Sequence, residues 1–314
     1  MRVLFWGTPE FATSALRALI GEGFDVVGVV TQPDRPVGRS RSRAEPSPVK
    51  RVAIEENIAV LQPEKPRGDD FVAQLSALAL DISVVVAYGH ILPRAVIDLP
   101  PQGTINIHAS LLPALRGAAP IQAAIRDGFV ETGVTIMRMV PALDAGPSIL
   151  QVRTPIPDDE TYGELQLRLA EMGALALVEA LALLELGRAV EQPQDEARAT
   201  YAPKVDRTMT RVDWSANART VSQIIRAYDP RPGAFARAGD VEVKLFGARA
   251  GAREADAAPG TVLAIDEDGM TVACGGGVGD GTVRVAAVQP AGKRRLTPAE
   301  WARGRGVAVG ERLS

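Results

Sequence analysis

The 314-residue chain is poor in the residues that build covalent or metal cross-links. A single cysteine, Cys274, excludes an internal disulfide framework and a Cys-rich zinc site, and it suits a reducing compartment. Histidine is almost as scarce, and with only His90 and His108 a His-built metal site is not expected. Aromatic residues make up 4%, so the core must rest on Val, Leu, Ile and Ala. No apolar run approaches the ~18 residues of a membrane helix. Met1-Arg2 leads directly into Val3-Leu-Phe-Trp6, without a signal peptide's longer apolar stretch, so a soluble cytoplasmic protein with no membrane contact is expected. Charge of one sign is lacking too: 35 Lys and Arg meet 38 Asp and Glu, which argues against coating nucleic acid through the overall field. The 46% apolar and 23% charged content fits a folded globular chain, and the length fits two domains or one large α/β unit.

The chain does hold strand and helix signals in alternation. Val3-Leu-Phe-Trp6 ends at Gly7-Thr8-Pro9, and an apolar periodic stretch runs from Phe11 to Ile20. This reads as strand, turn and helix, with Thr8 as the expected N-cap and Pro9 at the first helical position. Asp25 to Thr31 and Asp81 to Ala87 are further near-continuous apolar runs, as strands of a parallel sheet buried on both faces would be. Thr104 to Ala109 and Val134 to Val140 continue the pattern, and Thr161 to Leu186 reads as a long helix. Apolar density falls between Gly187 and Lys204, where a linker is expected. Beyond it come a helix over Arg219 to Tyr228 and short strand-like runs at Val241 to Phe246, Gly260 to Ile265, Met270 to Ala273 and Thr282 to Val288. Such spacing suggests a small β-barrel. The expected domains are residues 1–189, a linker at 190–206, and a barrel at 207–314.

The net charge of -3 conceals a division. Residues 207–314 carry 16 basic and 12 acidic residues, net +4, and residues 1–206 carry 19 and 26, net -7. Within the acidic part, Thr31 to Arg51 holds Arg35, Arg39, Arg41, Arg43, Lys50 and Arg51 against Asp34 and Glu45. A solvated basic loop is the plain alternative, but its length and prolines suggest a purpose.

The turn at Gly7-Thr8-Pro9 stands where a dinucleotide fold places its phosphate-binding glycines. It lacks the second and third of them, and Pro9 has no N–H to offer a phosphate, so a tight turn without a bound dinucleotide is the better reading. Thr104 to Pro120 is denser in chemistry. Residues two apart on a strand share a face, so Asn106 and His108 point together, opposite Ile105 and Ile107. A hydrogen-bonded core histidine is the bland alternative. The pair lies at a strand's C-terminal end, where open α/β sheets place ligands, and Ser110-Leu-Leu-Pro113 and Arg116-Gly117 follow as a loop. Asp144, before Ala145-Gly146, is either a turn residue or a carboxylate partner that fixes the His108 tautomer and favours its charged form.

Asn106-Ile-His108, Ser110-Leu-Leu-Pro-x-x-Arg116-Gly-Ala-Ala-Pro-Ile-Gln122 and Leu143-Asp144-x-Gly146 together resemble the signature of the folate-dependent formyltransferases. Gly7-Thr-Pro-Glu-Phe-Ala12, Thr31-Gln-Pro-Asp-Arg-Pro-x-Gly-Arg39, Pro46-Ser-Pro-Val-Lys50 and Val85-Val-Ala-Tyr-Gly-x-Ile-Leu-Pro93 are similar to the branch acting on initiator tRNA. So are Thr132-Gly-Val-Thr-Ile-Met137, Ile225-Arg-Ala-Tyr-x-Pro230 and Gln289-Pro-Ala-Gly-Lys293. The resemblance spans nearly the whole chain. It implies a Rossmann-like formyltransferase domain with a mostly parallel sheet and a C-terminal OB-like β-barrel. It implies transfer of a formyl group from 10-formyltetrahydrofolate to the α-amino group of methionyl initiator tRNA, by a monomer without a metal.

By the family pattern Asn106, His108 and Asp144 are catalytic, and Ser110, Leu111, Leu112 and Pro113 contact the folate. The tRNA would meet Arg35, Arg39, Arg41 and Arg43, together with Lys204 and Arg207 at the start of the basic part. The chemistry suits these residue types: amine attack on a formamide carbon develops an oxyanion, for which Asn106 and His108 N–H groups are donors. Asp144 would hold His108 and help to take the amine proton. Cys274 is expected to be a buried small residue and His90 a surface one. The competing readings are a formyltransferase for glycinamide ribonucleotide or an amino sugar nucleotide, and a noncatalytic RNA-binding protein. The basic loop and second domain speak against the first, and the intact Asn106, His108 and Asp144 against the second.

Overall fold

The computed structural model describes residues 1–36, 44–252, 257–275 and 281–314. In chain order its elements begin with β1 (Arg2–Gly7), α1 (Thr13–Gly21), β2 (Asp25–Val30), β3 (Arg35–Pro36), β4 (Ala44–Glu45), α2 (Pro48–Glu55), β5 (Val60–Leu61) and α3 (Asp69–Ser76). There follow β6 (Ile82–Val86), α4 (Arg94–Ile97), β7 (Thr104–His108), β8 (Arg116–Gly117), α5 (Pro120–Arg126), β9 (Glu131–Arg138), β10 (Ser148–Pro155) and α6 (Tyr162–Glu185). The last are β11 (Tyr201–Ala202), α7 (Ala218–Ala227), β12 (Ala234–Ala238), β13 (Val241–Ala252), β14 (Val262–Asp266), β15 (Gly269–Ala273), β16 (Gly281–Pro290) and α8 (Pro298–Arg303).

The chain forms two compact units. The first holds residues 1–117, 132–154 and 166–201, and the second 118–131, 155–165 and 202–314. The first is built on a seven-stranded sheet of order β10-β9-β7-β6-β1-β2-β5. β1 pairs in parallel with β2 and β6, β2 with β5, and β6 with β7, whereas β9 runs antiparallel to β7. The first connections run to one side of β1 and the later strands lie on the other. The order therefore reverses between β1 and β6, the place where open α/β sheets leave a crevice beyond their carboxyl ends.

The near-continuous apolar runs account for this sheet: β6 and β7 are buried along their whole length. Trp6, at the end of β1, packs edge-on against Phe71 and Tyr88 and donates its indole N–H to Ser83 Oγ at 3.3 Å. The long α6 covers the opposite layer, and Gly173 lets it come close to β7: a Cβ there would lie 3.0 Å from Ile107 Cγ2.

Thr8 does not cap a helix. Pro9 is extended (ψ 173) and a short 3₁₀ turn over Glu10–Ala12 intervenes before α1. The Thr8 hydroxyl instead donates to the Tyr88 carbonyl at 3.2 Å and accepts the Gln32 N–H at 3.3 Å, tying the ends of β1, β2 and β6 together.

The second unit holds a five-stranded antiparallel sheet of order β12-β13-β16-β15-β14. The terminal residues join its two edges through bridges from Leu313 to Ala238 and from Arg312 to Thr261. α7 packs on this sheet with Val221 and Ile225 buried, and its Asn217 cap accepts the Thr220 N–H at 2.9 Å. Cys274 is buried.

Candidate active site

Asn106 and His108 sit on β7 with 9% and 5% of their surface exposed. Asn106 lies between Val85 of β6 and Met137 of β9, and His108 stands opposite Thr135. The intervening Ile107 faces α6, so the alternation places the two polar groups on one face and the packing on the other.

His108 Nε2 is 3.0 Å from the Leu115 carbonyl oxygen. A carbonyl only accepts, so this nitrogen carries the proton and donates. Nδ1 then faces Asp144, whose Oδ2 lies 3.7 Å away, beyond direct hydrogen-bond range. The backbone at Leu115 thus sets the tautomer that the sequence assigns to Asp144. Burial pushes the His108 pKa below the ordinary imidazole range, and the Asp144 charge and the Leu115 carbonyl oppose that shift.

Both partners stand on unusual backbone. Leu115 has φ +61 and Asp144 φ +47, left-handed conformations that side-chain-bearing residues adopt only when their surroundings hold them. Asp144 Oδ2 accepts the Gly117 N–H at 2.8 Å. Its loop is held close to β9 at Gly146, where a Cβ would lie 1.9 Å from the Arg138 carbonyl oxygen, so glycine is required.

The loop 110–113 is fixed from β9 and β10. The Thr135 hydroxyl donates to the Ser110 carbonyl (2.7 Å) and accepts the Leu112 N–H (3.1 Å), while Gln151 Nε2 donates to the Leu112 carbonyl (2.7 Å). Ser110 Oγ donates to the Ala114 carbonyl at 2.6 Å. Ser110 and Leu112 are buried with these polar groups engaged, whereas Leu111 and Pro113 are half-buried. The part of the loop left accessible is therefore the apolar edges of Leu111 and Pro113.

Several residues to which the sequence assigns no role surround the site: Thr135, which lies within the motif at 132–137, and Gln151, Gln194, Glu196 and Thr200. Arg116 is 2% exposed and donates through Nε and Nη2 to Gln194 Oε1 and through both Nη atoms to Glu196. Only Thr135 has a signal in the sequence, lying on the strand that pairs with β7.

The basic residues are placed separately. Arg35 is exposed and donates to Gln32 Oε1 at 2.8 Å, while Arg39, Arg41 and Arg43 lie outside the described residues. The root of their loop is held by Lys50, which donates to Asp34 at 2.6 Å and to Gln62 at 2.7 Å. Lys204 is exposed, and Arg207 pairs with Glu242 and lies over the Phe235 ring, 4.9 Å from its centroid. His90 is exposed beside Tyr88. Among the described residues no group of three His, Cys, Asp or Glu is placed to hold a metal ion, and no helix is long and apolar enough to cross a membrane.

The buried Asn106 and His108 stand at the carboxyl end of a strand in an open α/β sheet, where such folds place their ligands, with the partly exposed Asp144 facing His108. Residues 1–181 match the formyl transferase family and residues 204–306 match the formyl transferase C-terminal domain, and the chain belongs to this family. Among its relatives is the methionyl-tRNA formyltransferase of Aromatoleum aromaticum, 48% identical over 313 residues, covering 100% of this chain and 97% of that protein. The methionyl-tRNA formyltransferase of Chromobacterium violaceum is 46% identical over 314 residues, covering 100% and 99%.

Solved structures share the fold at lower identity. HypX from Aquifex aeolicus, in complex with tetrahydrofolic acid, superposes with a TM-score of 0.66 at 22% identity; the match covers 99% of this chain and 48% of HypX. The sugar 3N-formyl transferase WlaRD gives a TM-score of 0.65 at 16% identity, covering 94% and 99%.

Proposed function

We propose that this enzyme transfers the formyl group of 10-formyltetrahydrofolate to the free α-amino group of methionyl initiator tRNA, yielding formylmethionyl-tRNA for translation initiation. The observation that carries the reading is the buried His108 with one nitrogen committed to Leu115 and the other turned toward Asp144. Near-full-length likeness to methionyl-tRNA formyltransferases, at 46% and 48% identity, selects the acceptor.

The chemistry is a proton exchange around an attacked carbonyl: the amine loses one proton and the departing folate nitrogen gains one. His108 Nδ1, the nitrogen left free by Leu115, takes the amine proton. Asp144 stabilises the resulting imidazolium, which can return the proton to the leaving nitrogen. The Asn106 amide donates to the developing oxyanion. Below-ordinary basicity keeps His108 neutral and ready to accept at neutral pH.

The folate is held by the loop from Ser110 to Pro113, whose Leu111 and Pro113 offer it apolar edges while the backbone of Ser110 and Leu112, engaged by Thr135 and Gln151, fixes the loop in place. The acceptor end of the tRNA meets Arg35, Arg39, Arg41 and Arg43, and Lys204 and Arg207 serve phosphates from the basic part. Arg207 would exchange its Glu242 partner for a phosphate. The working units are a catalytic domain at 1–189, a connecting stretch at 190–206 and a tRNA-binding domain at 207–314, in a cytoplasmic monomer.

Incubation with labelled formyl donor and charged initiator tRNA, with charged elongator tRNA, glycinamide ribonucleotide and an amino sugar nucleotide as alternative acceptors, tests the assignment. Label is expected in the initiator methionyl ester. Preference for either nucleotide acceptor would overturn the reading.

A further inference from the structure

The stretch 191–200, poor in apolar residues and read from sequence as part of a linker, is bonded to the site along its length. Glu191 pairs with Arg138 at 2.7 Å, and Gln192 exchanges two backbone hydrogen bonds with Ser148, both at 2.8 Å. Gln194 Nε2 donates to the carbonyls of Asp144 (2.8 Å) and Gly146 (2.7 Å), while its Oε1 accepts from Arg116. Both donors of the amide and its acceptor are used. Six residues on, the Thr200 hydroxyl accepts the Leu115 N–H (2.9 Å), its carbonyl accepts the Arg116 N–H (2.8 Å), and its own N–H donates to the Pro113 carbonyl (3.3 Å).

The two residues held in this way both have left-handed backbone and both face His108. Asp144 (φ +47) faces His108 Nδ1, and Leu115 (φ +61) receives the His108 Nε2 proton. Arg116, almost fully buried, links the two attachments by binding Gln194 through its side chain and Thr200 through its backbone.

We infer that residues 191–200 form a strap that positions the catalytic pair, with Gln194 holding the Asp144 loop and Thr200 holding Leu115, so that Nε2 stays protonated and Nδ1 stays turned to the reaction. Neither residue touches the reacting atoms; both are positioning residues. The inference rests on the reading of His108 and Asp144 as catalytic. It assigns to Gln194 and Thr200 an effect on turnover and not on substrate affinity, because they act through groups whose displacement by about 1 Å can cost on the order of a hundredfold in rate.

The test uses the full chain. Thr200→Val keeps the shape and removes the hydroxyl acceptor, Thr200→Ser restores it, and Gln194→Met removes both amide donors together with the oxygen that accepts from Arg116. Each is assayed for kcat and for the KM of formyl donor and charged tRNA. Histidine labelled with ¹⁵N gives a second readout, simple here because the chain has only two histidines, one exposed and one buried. In the unmodified protein the buried ring should show the neutral, Nε2-protonated form. Thr200→Val and Gln194→Met should lower kcat by about ten- to hundredfold with both KM values within about twofold, and Thr200→Ser should recover most of the loss. The Nε2–H signal should broaden or shift in Thr200→Val and persist in Thr200→Ser.

Equal kcat in Thr200→Val and Thr200→Ser would overturn the strap, as would loss carried by KM or an unchanged buried-ring signal in Thr200→Val. If Gln194→Met does not fold, the Thr200 pair decides alone. Near-normal turnover by His108→Ala would defeat the catalytic reading instead, and the strap would then stand or fall on the ring signal.

Discussion

The two faces of β7 should be separable by mutation. Ile107 is 4% exposed and packs toward α6 at Gly173, on the side of the strand away from Asn106 and His108. Truncation to alanine deletes three buried carbons where helix and strand are in close contact, and such changes cost about 2–5 kcal/mol. A value of ~3 kcal/mol corresponds to a Tm lower by roughly 6–12 °C for a unit of this size. Because the loss falls on the packing face, kcat should remain within about threefold at temperatures where the variant is folded.

His108→Ala should behave in the opposite way. It removes the proton acceptor, worth about 10²–10⁴ in rate, or ~3–5.5 kcal/mol of barrier. Its effect on stability comes from one unpaired Leu115 carbonyl, about 1–3 kcal/mol, and from the space a buried ring leaves behind, offset in part by relief of burying a titratable ring. Thermal unfolding followed by circular dichroism, together with single-turnover formyl transfer, reads both quantities. A folded Ile107→Ala whose turnover falls as far as that of His108→Ala would show that the strand does not divide packing from chemistry and would refute the reasoning.

Three further outcomes are expected. Burial depresses the His108 pKa, so the folded protein binds its proton later than the unfolded chain. The associated stability is present above the ordinary imidazole value of about 6.5 and is lost as pH falls below it; urea midpoints across that range should drop more steeply for the unmodified protein than for His108→Gln. Neutralising Arg35, Arg39, Arg41 and Arg43 together should flatten the salt dependence of tRNA binding by a log–log slope of about 3, from ~0.7 per phosphate contact on single strands; an unchanged slope would reject phosphate contact. Gly146→Ala, whose new methyl would sit 1.9 Å from the Arg138 carbonyl, should lower both kcat and the urea midpoint, since the loop must move and carries Asp144 with it.

What could be read from the sequence follows the physics of each feature. β7 was legible because burial of alternating residues leaves a period of two, and Asn106 and His108 break an otherwise apolar run at its carboxyl end. α6 was legible at Tyr162–Glu185 against an expected Thr161 to Leu186, since a long run of Leu, Ala and Glu has few alternatives to a helix. The strand at Ala234–Ala238 was not foreseen: five residues of Ala, Phe and Arg give it little hydrophobic alternation, and its place is set by pairing with β13.

The strap was invisible for another reason. It is held by amide, guanidinium and backbone hydrogen bonds to distant residues, 48 to 85 positions away for those made by its side chains, and such bonds leave no periodicity in the apolar pattern. Leu115 shows the same limit. Its side chain reads as ordinary packing, yet its carbonyl, turned by a positive φ, fixes the imidazole proton. Thr8 reads locally as a cap and is drawn instead to Tyr88 and Gln32, because three strand ends meet there.

The bond from Leu115 to Thr200 joins positions 85 apart in the chain. During synthesis from the amino terminus, β7 with both of its polar residues has left the ribosome long before the residue that orients one of them is made. A growing chain stopped at residue 189 can pair β1, β6 and β7, yet it has neither Gln194 nor Thr200 to set the loops beside them. Competence for chemistry is therefore expected to arrive later than the sheet, on reaching about residue 200, and a nascent chain would be folded before it could act.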